Sequence, residues 1–203
     1  SVDGHARVLL LGRVLLVGEG ATRLHEQIIC VCGRISADGS KVEFGKDTGT
    51  EALAMLNAAM SADQASIDGK MRERLLQRLQ QDVDLLRPKL EGEGADASKS
   101  AEAALKARAE TESKEMRSIL MAQKTTVERE MQRRSKFDPN QLMIKFSEIE
   151  DRQHKSESKY MEKRLQEIEK DLQTEPQRVR DYYKVSKYHL QPVGLAYLWP
   201  KNS

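Results

Sequence analysis

Arg7-Val8-Leu9-Leu10-Leu11-Gly12-Arg13-Val14-Leu15-Leu16-Val17 is the stretch on which the fold turns. A run so nearly apolar, and too short to span a bilayer, reads as a strand buried on both faces. Gly18-Glu19-Gly20-Ala21 then signals a turn. Arg23 to Ile35 resumes a β-rich pattern through Ile28, Ile29 and Val31. Asp38-Gly39 marks a tight hairpin into Lys41–Phe44, where Val42 and Phe44 alternate with polar neighbours. Three antiparallel strands are expected from the first 44 residues.

From Thr50 the apolar period changes to that of helices. Leu53, Leu56, Ala59 and Met60 suit a first helix, with Thr48 or Thr50 as its cap. A second is expected over about 65–86, carrying Ile67, Met71, Leu75, Leu79, Val83 and Leu86 on one stripe. Pro88 and Gly92-Glu93-Gly94 are expected to close it. A third begins near Asp96 to Ser98 and runs to about Arg134 with Leu105, Ala109, Glu112, Met116, Ile119 or Leu120, Gln123, Val127 and Met131 on its seam. Phe137-Asp138-Pro139 breaks it, and a fourth helix to about Gln173 carries Leu142, Phe146, Ile149, Leu165, Ile168 and Leu172.

Folding these two about Phe137 sets Phe146 opposite Val127, Leu165 opposite Ala109 and Ile168 opposite Leu105. That arrangement is an antiparallel coiled coil about 50 Å long at ~1.5 Å per residue. A globular bundle would use the same stripes, but Glu150–Lys159 is too hydrophilic for a bundle core. After Glu175-Pro176 a short helix through Tyr182 leads to a terminal strand, His189–Pro200, expected to return to the N-terminal sheet. The fold class is therefore α+β: a small antiparallel β-sheet with short helices and a long antiparallel coiled-coil helical hairpin. Its expected divisions are a base over 1–92, the hairpin over 93–174, and a short helix with the returning strand over 175–203.

Composition narrows function mainly by exclusion. Charged residues make up 33% and aromatics 4%, the balance of solvated helices rather than of a bulky core. Lysine and arginine number 34 against 32 acids, so no global field draws the chain to nucleic acid or to an anionic membrane. Residues 176–203 are the exception, with Arg178, Arg180, Lys184, Lys187 and Lys201 against Asp181 alone. Cys30 and Cys32 lie two apart on one strand face, a poor geometry for bonding each other, which favours a reducing, cytoplasmic setting. The chain opens Ser-Val-Asp and its first methionine is Met55, so it is expected to be a piece of a longer polypeptide.

No catalytic constellation emerges, and neither a catalytic residue, a metal ligand set nor a cofactor site is assigned. Gly39 to Lys46 has the wrong glycine spacing for a phosphate-binding loop and no Ser or Thr after the lysine. His25, Cys30 and Cys32 lack the paired spacing of a structural zinc site. Two basic regions are candidates for contact with nucleic acid or a partner. The hairpin tip carries Arg129, Arg133, Arg134, Lys136 and Lys145, against Glu128, Glu130 and Asp138. The tail interleaves Arg178, Arg180, Lys184 and Lys187 with Tyr182, Tyr183, Tyr188, Tyr197 and Trp199, where rings could stack on bases. The plainer reading is a solvated tip and aromatics that pin the tail to the sheet.

The tail Glu175-Pro176-Gln177-Arg178-Val179-Arg180-Asp181-Tyr182-Tyr183, followed by Leu190-Gln191-Pro192-Val193-Gly194-Leu195-Ala196-Tyr197-Leu198-Trp199-Pro200, resembles the extreme C-terminus of large bacterial SNF2-type helicases, among them the DrmD-like helicases of DISARM phage defence. Leu11-Gly12-Arg13 and Gly18-Glu19-Gly20-Ala21-Thr22-Arg23-Leu24-His25-Glu26 resemble the segment that follows their motor core. The resemblance covers the two ends, and the helical stretch between is compositionally generic. It implies a non-catalytic accessory domain of a DNA-dependent ATPase, whose Walker motifs would lie outside this chain. Its partners would be the rest of the parent ATPase, DNA or another protein subunit, and no membrane. The alternative is a structural coiled-coil module that oligomerises and has no nucleic-acid role.

Overall fold

The computed structural model describes residues 5–36, 41–45, 47–62, 68–135 and 148–200. The chain divides into two compact units: residues 1–103 with 185–203, and residues 104–184.

The first unit is built on a four-stranded antiparallel sheet. Its strands are β1 (Arg7–Val17), β2 (Arg23–Ile35), β3 (Val42–Glu43) and β4 (Lys187–Leu198), in the order β3-β2-β1-β4. β1 is central. Leu9 is flanked by Cys32 on β2 and Ala196 on β4. A β-bulge falls where Leu11 faces Gly194 and Gly12 faces Pro192, leaving Val193 as the extra residue on β4. The β1–β2 turn closes through Gly18 N–H to Thr22 O at 2.8 Å, with Gly20 and Ala21 both at positive φ. The expected Asp38-Gly39 hairpin lies outside the described residues.

β1 is buried on both faces because a different helix covers each. Helix α1 (Gly49–Ser61) packs Ala52, Leu53 and Leu56 against Leu9, Leu11, Cys30 and Cys32. Of the two candidate caps, Thr48 is the one used. Its hydroxyl accepts from Glu51 N–H, and the Glu51 carboxylate accepts from Thr48 N–H at 2.8 Å, a reciprocal capping box. On the opposite face, helix α2 (Gly69–Ser135) lays Val83, Leu86, Leu90 and Ala97 over Val8, Leu10, Val14, Ile29 and Val31. Each fully buried leucine in that layer contributes about 1.5–3 kcal/mol. Gly12 makes the close approach possible, since a Cβ there would meet Leu90 at 3.0 Å and Leu190 at 3.2 Å.

Two sequence expectations are corrected here. Pro88, Gly92 and Gly94 do not end a helix: α2 runs through all three. Pro88 leaves the Asp84 carbonyl without its in-helix donor, and glycine in a helix interior costs about 1 kcal/mol. Packing offsets these costs, because Leu86 and Leu90 are fully buried and Gly94 sits directly under Tyr188 and Leu190. Likewise, no separate short helix follows Pro176. Helix α3 (Glu148–Tyr182) is continuous through that proline. The described elements are thus one short helix and two long ones, beside a small antiparallel sheet.

The second unit contains the later part of α2 and all of α3. Lys124 Nζ meets Glu169 at 2.7 Å, Ser113 Oγ donates to Pro176 O at 2.9 Å, and Arg180 Nε donates to Glu110 at 3.0 Å. Ile168 lies with Ile119, Ala122, Gln123, Thr126 and Val127. The seam expected from sequence sets Ile168 opposite Leu105, and the observed contacts stand about five turns further along α2. The turn at Phe137 on which that reading folded lies outside the described residues.

Candidate functional site

The most buried charged cluster of the sheet unit lies where β1 begins. Arg7 opens β1 and Arg34 closes β2, paired across the sheet, so both guanidinium groups converge on Asp47 just before α1. Arg7 Nε reaches Asp47 Oδ2 at 3.2 Å; Arg34 reaches both oxygens, at 3.1 and 2.9 Å. The Arg34 hydrogen bonds, then those from Arg7, hold the Asp47 carboxyl below its ordinary range despite partial burial. Tyr197 Oη donates to Asp82 at 2.8 Å, and Arg78 pairs with the same carboxylate at 3.1 Å. Burial, reinforced by that bond, raises the Tyr197 phenol well above its usual value. Both clusters tie sheet to helix with saturated hydrogen bonding, which is structural chemistry.

Cys30 and Cys32 are free and buried under α1. Burial, then the neighbouring Cys32, pushes the Cys30 thiol up to about 12. Burial raises Cys32 as well. Thiols so held carry little thiolate and make weak nucleophiles. No group of three or more metal-ligating side chains occurs among the described residues.

The nine basic candidates fall into three sets. Arg133 pairs with Glu130 at 3.5 Å, Arg178 with Glu175 at 2.6 Å and Arg180 with Glu110 at 3.0 Å, all exposed ion pairs. Arg129, Lys184 and Lys187 are exposed and have no side-chain partner among the described residues. Lys136, Lys145 and the side chain of Arg134 lie outside the described residues. Tyr183 is held inside the second unit, donating to Glu112 at 2.7 Å with Arg108 over its ring at 5.4 Å. Tyr197 points into the sheet–helix core. Tyr182, Tyr188 and Trp199 remain exposed. The rings therefore do not form one stacking row.

No protein-family model, curated protein or solved structure matches this chain. Sequence reasoning missed the Arg7–Asp47–Arg34 cluster, whose members are 13 and 40 positions apart. The one available signal was a charged residue at each end of an otherwise apolar strand pair. No helix among the described residues is long and apolar enough to cross a membrane.

Proposed function

We propose that this chain is a non-catalytic interaction module, an accessory region of a helicase-like, DNA-dependent ATPase. In it residues 104–184 act as an antiparallel two-helix coiled-coil arm for DNA or a partner subunit. The observation that carries this reading is the pairing of β1 with β4 from Arg7↔Leu198 to Val17↔Lys187. The two stretches that resemble the helicase C-terminus are thereby neighbours in one sheet, and the long helices are an excursion between adjacent strands. The Lys124–Glu169, Ser113–Pro176 and Glu110–Arg180 contacts support opposite directions for the two helices of the arm. Among the described candidates within residues 104–184, Arg129 and Lys184 have no side-chain partner and are the cations offered to phosphate.

Fluorescence polarisation of a labelled 20-base-pair duplex with the full chain at 20 mM salt tests the DNA contact. Binding is expected to weaken with salt at a log–log slope of about −2, for two phosphate contacts of the arm at ~0.9 each. The double variant Arg129→Glu, Lys184→Glu is expected to weaken it. An absence of binding at low salt removes DNA as the target.

A second reading, oligomerisation without nucleic acid, draws on Ile119 and Met121, exposed on either side of the buried Leu120. Sedimentation at high concentration separates the two: a strictly monomeric chain removes the second.

A further inference from the structure

Ile35 N–H donates to Ala6 O at 2.8 Å, so residue 35 directs its main-chain groups toward β1. In an antiparallel strand main-chain direction alternates residue by residue. Glu26, Ile28, Cys30, Cys32 and Arg34 therefore direct theirs to the outer edge of β2. Among the described residues β3 pairs with that edge only at Arg34 and Ile35, and no hydrogen bond to the main chain of Glu26, Ile28 or Cys30 comes from outside the sheet. The Cys30 carbonyl is touched by Gly49 at the start of α1, which ends the open stretch on that side.

The two edges of this sheet are treated differently. β4 carries the devices that blunt an edge: Lys187 at its start, Pro192 without an amide, and a bulge at Val193. β2 from Leu24 to Gly33 has no proline, no lysine, and Glu26 as its single charge. It lies instead on the floor of a groove of about 610 Å³. One wall is a single stripe of α2, Lys89, Glu93, Asp96 and Ser100; the other is Asp47–Thr50 with Leu53. Asp47 is neutralised by two arginines, and Lys89 sits over the Phe44 ring at 3.9 Å. Asp96 has a long 3.8 Å pair with exposed Lys99, and Glu93 has none among the described residues. Along the α2 wall the carboxylates of Glu93 and Asp96 outnumber the single ammonium of Lys89, while Leu53 and Ile28 make the other side apolar.

We propose that the outer edge of β2 from Glu26 to Ile29 binds an extended segment of a partner protein as an added strand, with basic side chains toward α2 alternating with apolar ones toward α1. About four residues, ~13 Å of strand, lie along that stretch, which Gly49 closes at the Cys30 peptide. Main-chain hydrogen bonds supply affinity in this mode, and alternate side chains supply specificity. The site belongs to the sheet unit and does not depend on the arm, so the DNA test above can fail while this one succeeds.

The test is a phage-displayed random heptapeptide library selected on the full 203-residue chain. Enriched peptides alternate basic and apolar residues. In synthetic copies, N-methylation of every second amide weakens binding at least tenfold, while methylation of the others has little effect. Ser100→Trp, an exposed position on the groove wall, is expected to weaken binding at least tenfold with an unchanged melting curve; Ile28→Pro removes an outward amide and does the same where it folds. No enrichment, enriched peptides indifferent to which amides are methylated, or binding unaffected by Ser100→Trp would overturn the proposal. So would a dimer in sedimentation that Ser100→Trp dissociates, since the edge would then be taken by a second copy of this chain.

Discussion

Arg7 Nε lies 3.2 Å from Asp47 Oδ2 with the arginine side chain 2% exposed, joining the first strand to the residue that precedes α1. A guanidinium this deep needs its counter-charge, because an uncompensated buried charge costs several kcal/mol. Asp47→Asn keeps an acceptor oxygen but removes the charge that Arg7 and Arg34 share. Loss of about 2–4 kcal/mol of unfolding free energy is expected in urea titration at pH 7. The native carboxyl is held below its ordinary value near 3.8. Its contribution is therefore complete above that value and is lost as pH falls through it toward the lower native one. In Asp47→Asn the acid limb of the stability–pH curve should flatten between about pH 5 and pH 2.

Gly92 and Gly94 occupy the same helix two residues apart and should respond oppositely. A Cβ at Gly92 meets nothing within 4 Å, whereas one at Gly94 meets Tyr188 Oη at 2.6 Å and Leu190 at 2.9 Å. Gly92→Ala should stabilise by about 0.5–1 kcal/mol, the ordinary helix-interior gain. Gly94→Leu should destabilise by about 1–3 kcal/mol through overpacking against β4. Thermal melts of the two variants check both signs.

The buried thiols give a kinetic prediction. With Cys30 pushed up to about 12 and Cys32 raised beside it, native chain at pH 7.5 should react with iodoacetamide at least a hundredfold more slowly than chain in 6 M guanidinium. Native reaction at the denatured rate would mean that α1 does not cover these residues.

The sheet was legible because its signals are local. The apolar run of Arg7–Val17 and the β-rich stretch after the Gly18 turn mark β1 and β2, and Thr48 with Glu51 marks a helix start. Misreadings arose where packing overrides local preference. Pro88 and the Gly92-Glu93-Gly94 stretch look like an ending, yet the sheet beneath Leu86 and Leu90 keeps α2 helical. The partners of Ile168 were misplaced because an apolar seam broken by Ala, Gln and Glu fits several offsets nearly equally well. The Arg7–Asp47 tie was signalled only by the arginines near the strand ends, and the β2 groove by nothing in the sequence. One joins residues far apart in sequence, and the other is a property of main-chain direction at a sheet edge.

The central claim, that residues 104–184 fold back on themselves within one chain, is tested most directly by cross-linking the Lys124–Glu169 contact. Treated with a zero-length carbodiimide at low concentration, the native chain should form an intramolecular Lys124–Glu169 amide, read by mass spectrometry of the digested monomer band and absent from Lys124→Arg. That cross-link found only in a dimer band, or not found at all, would contradict the account.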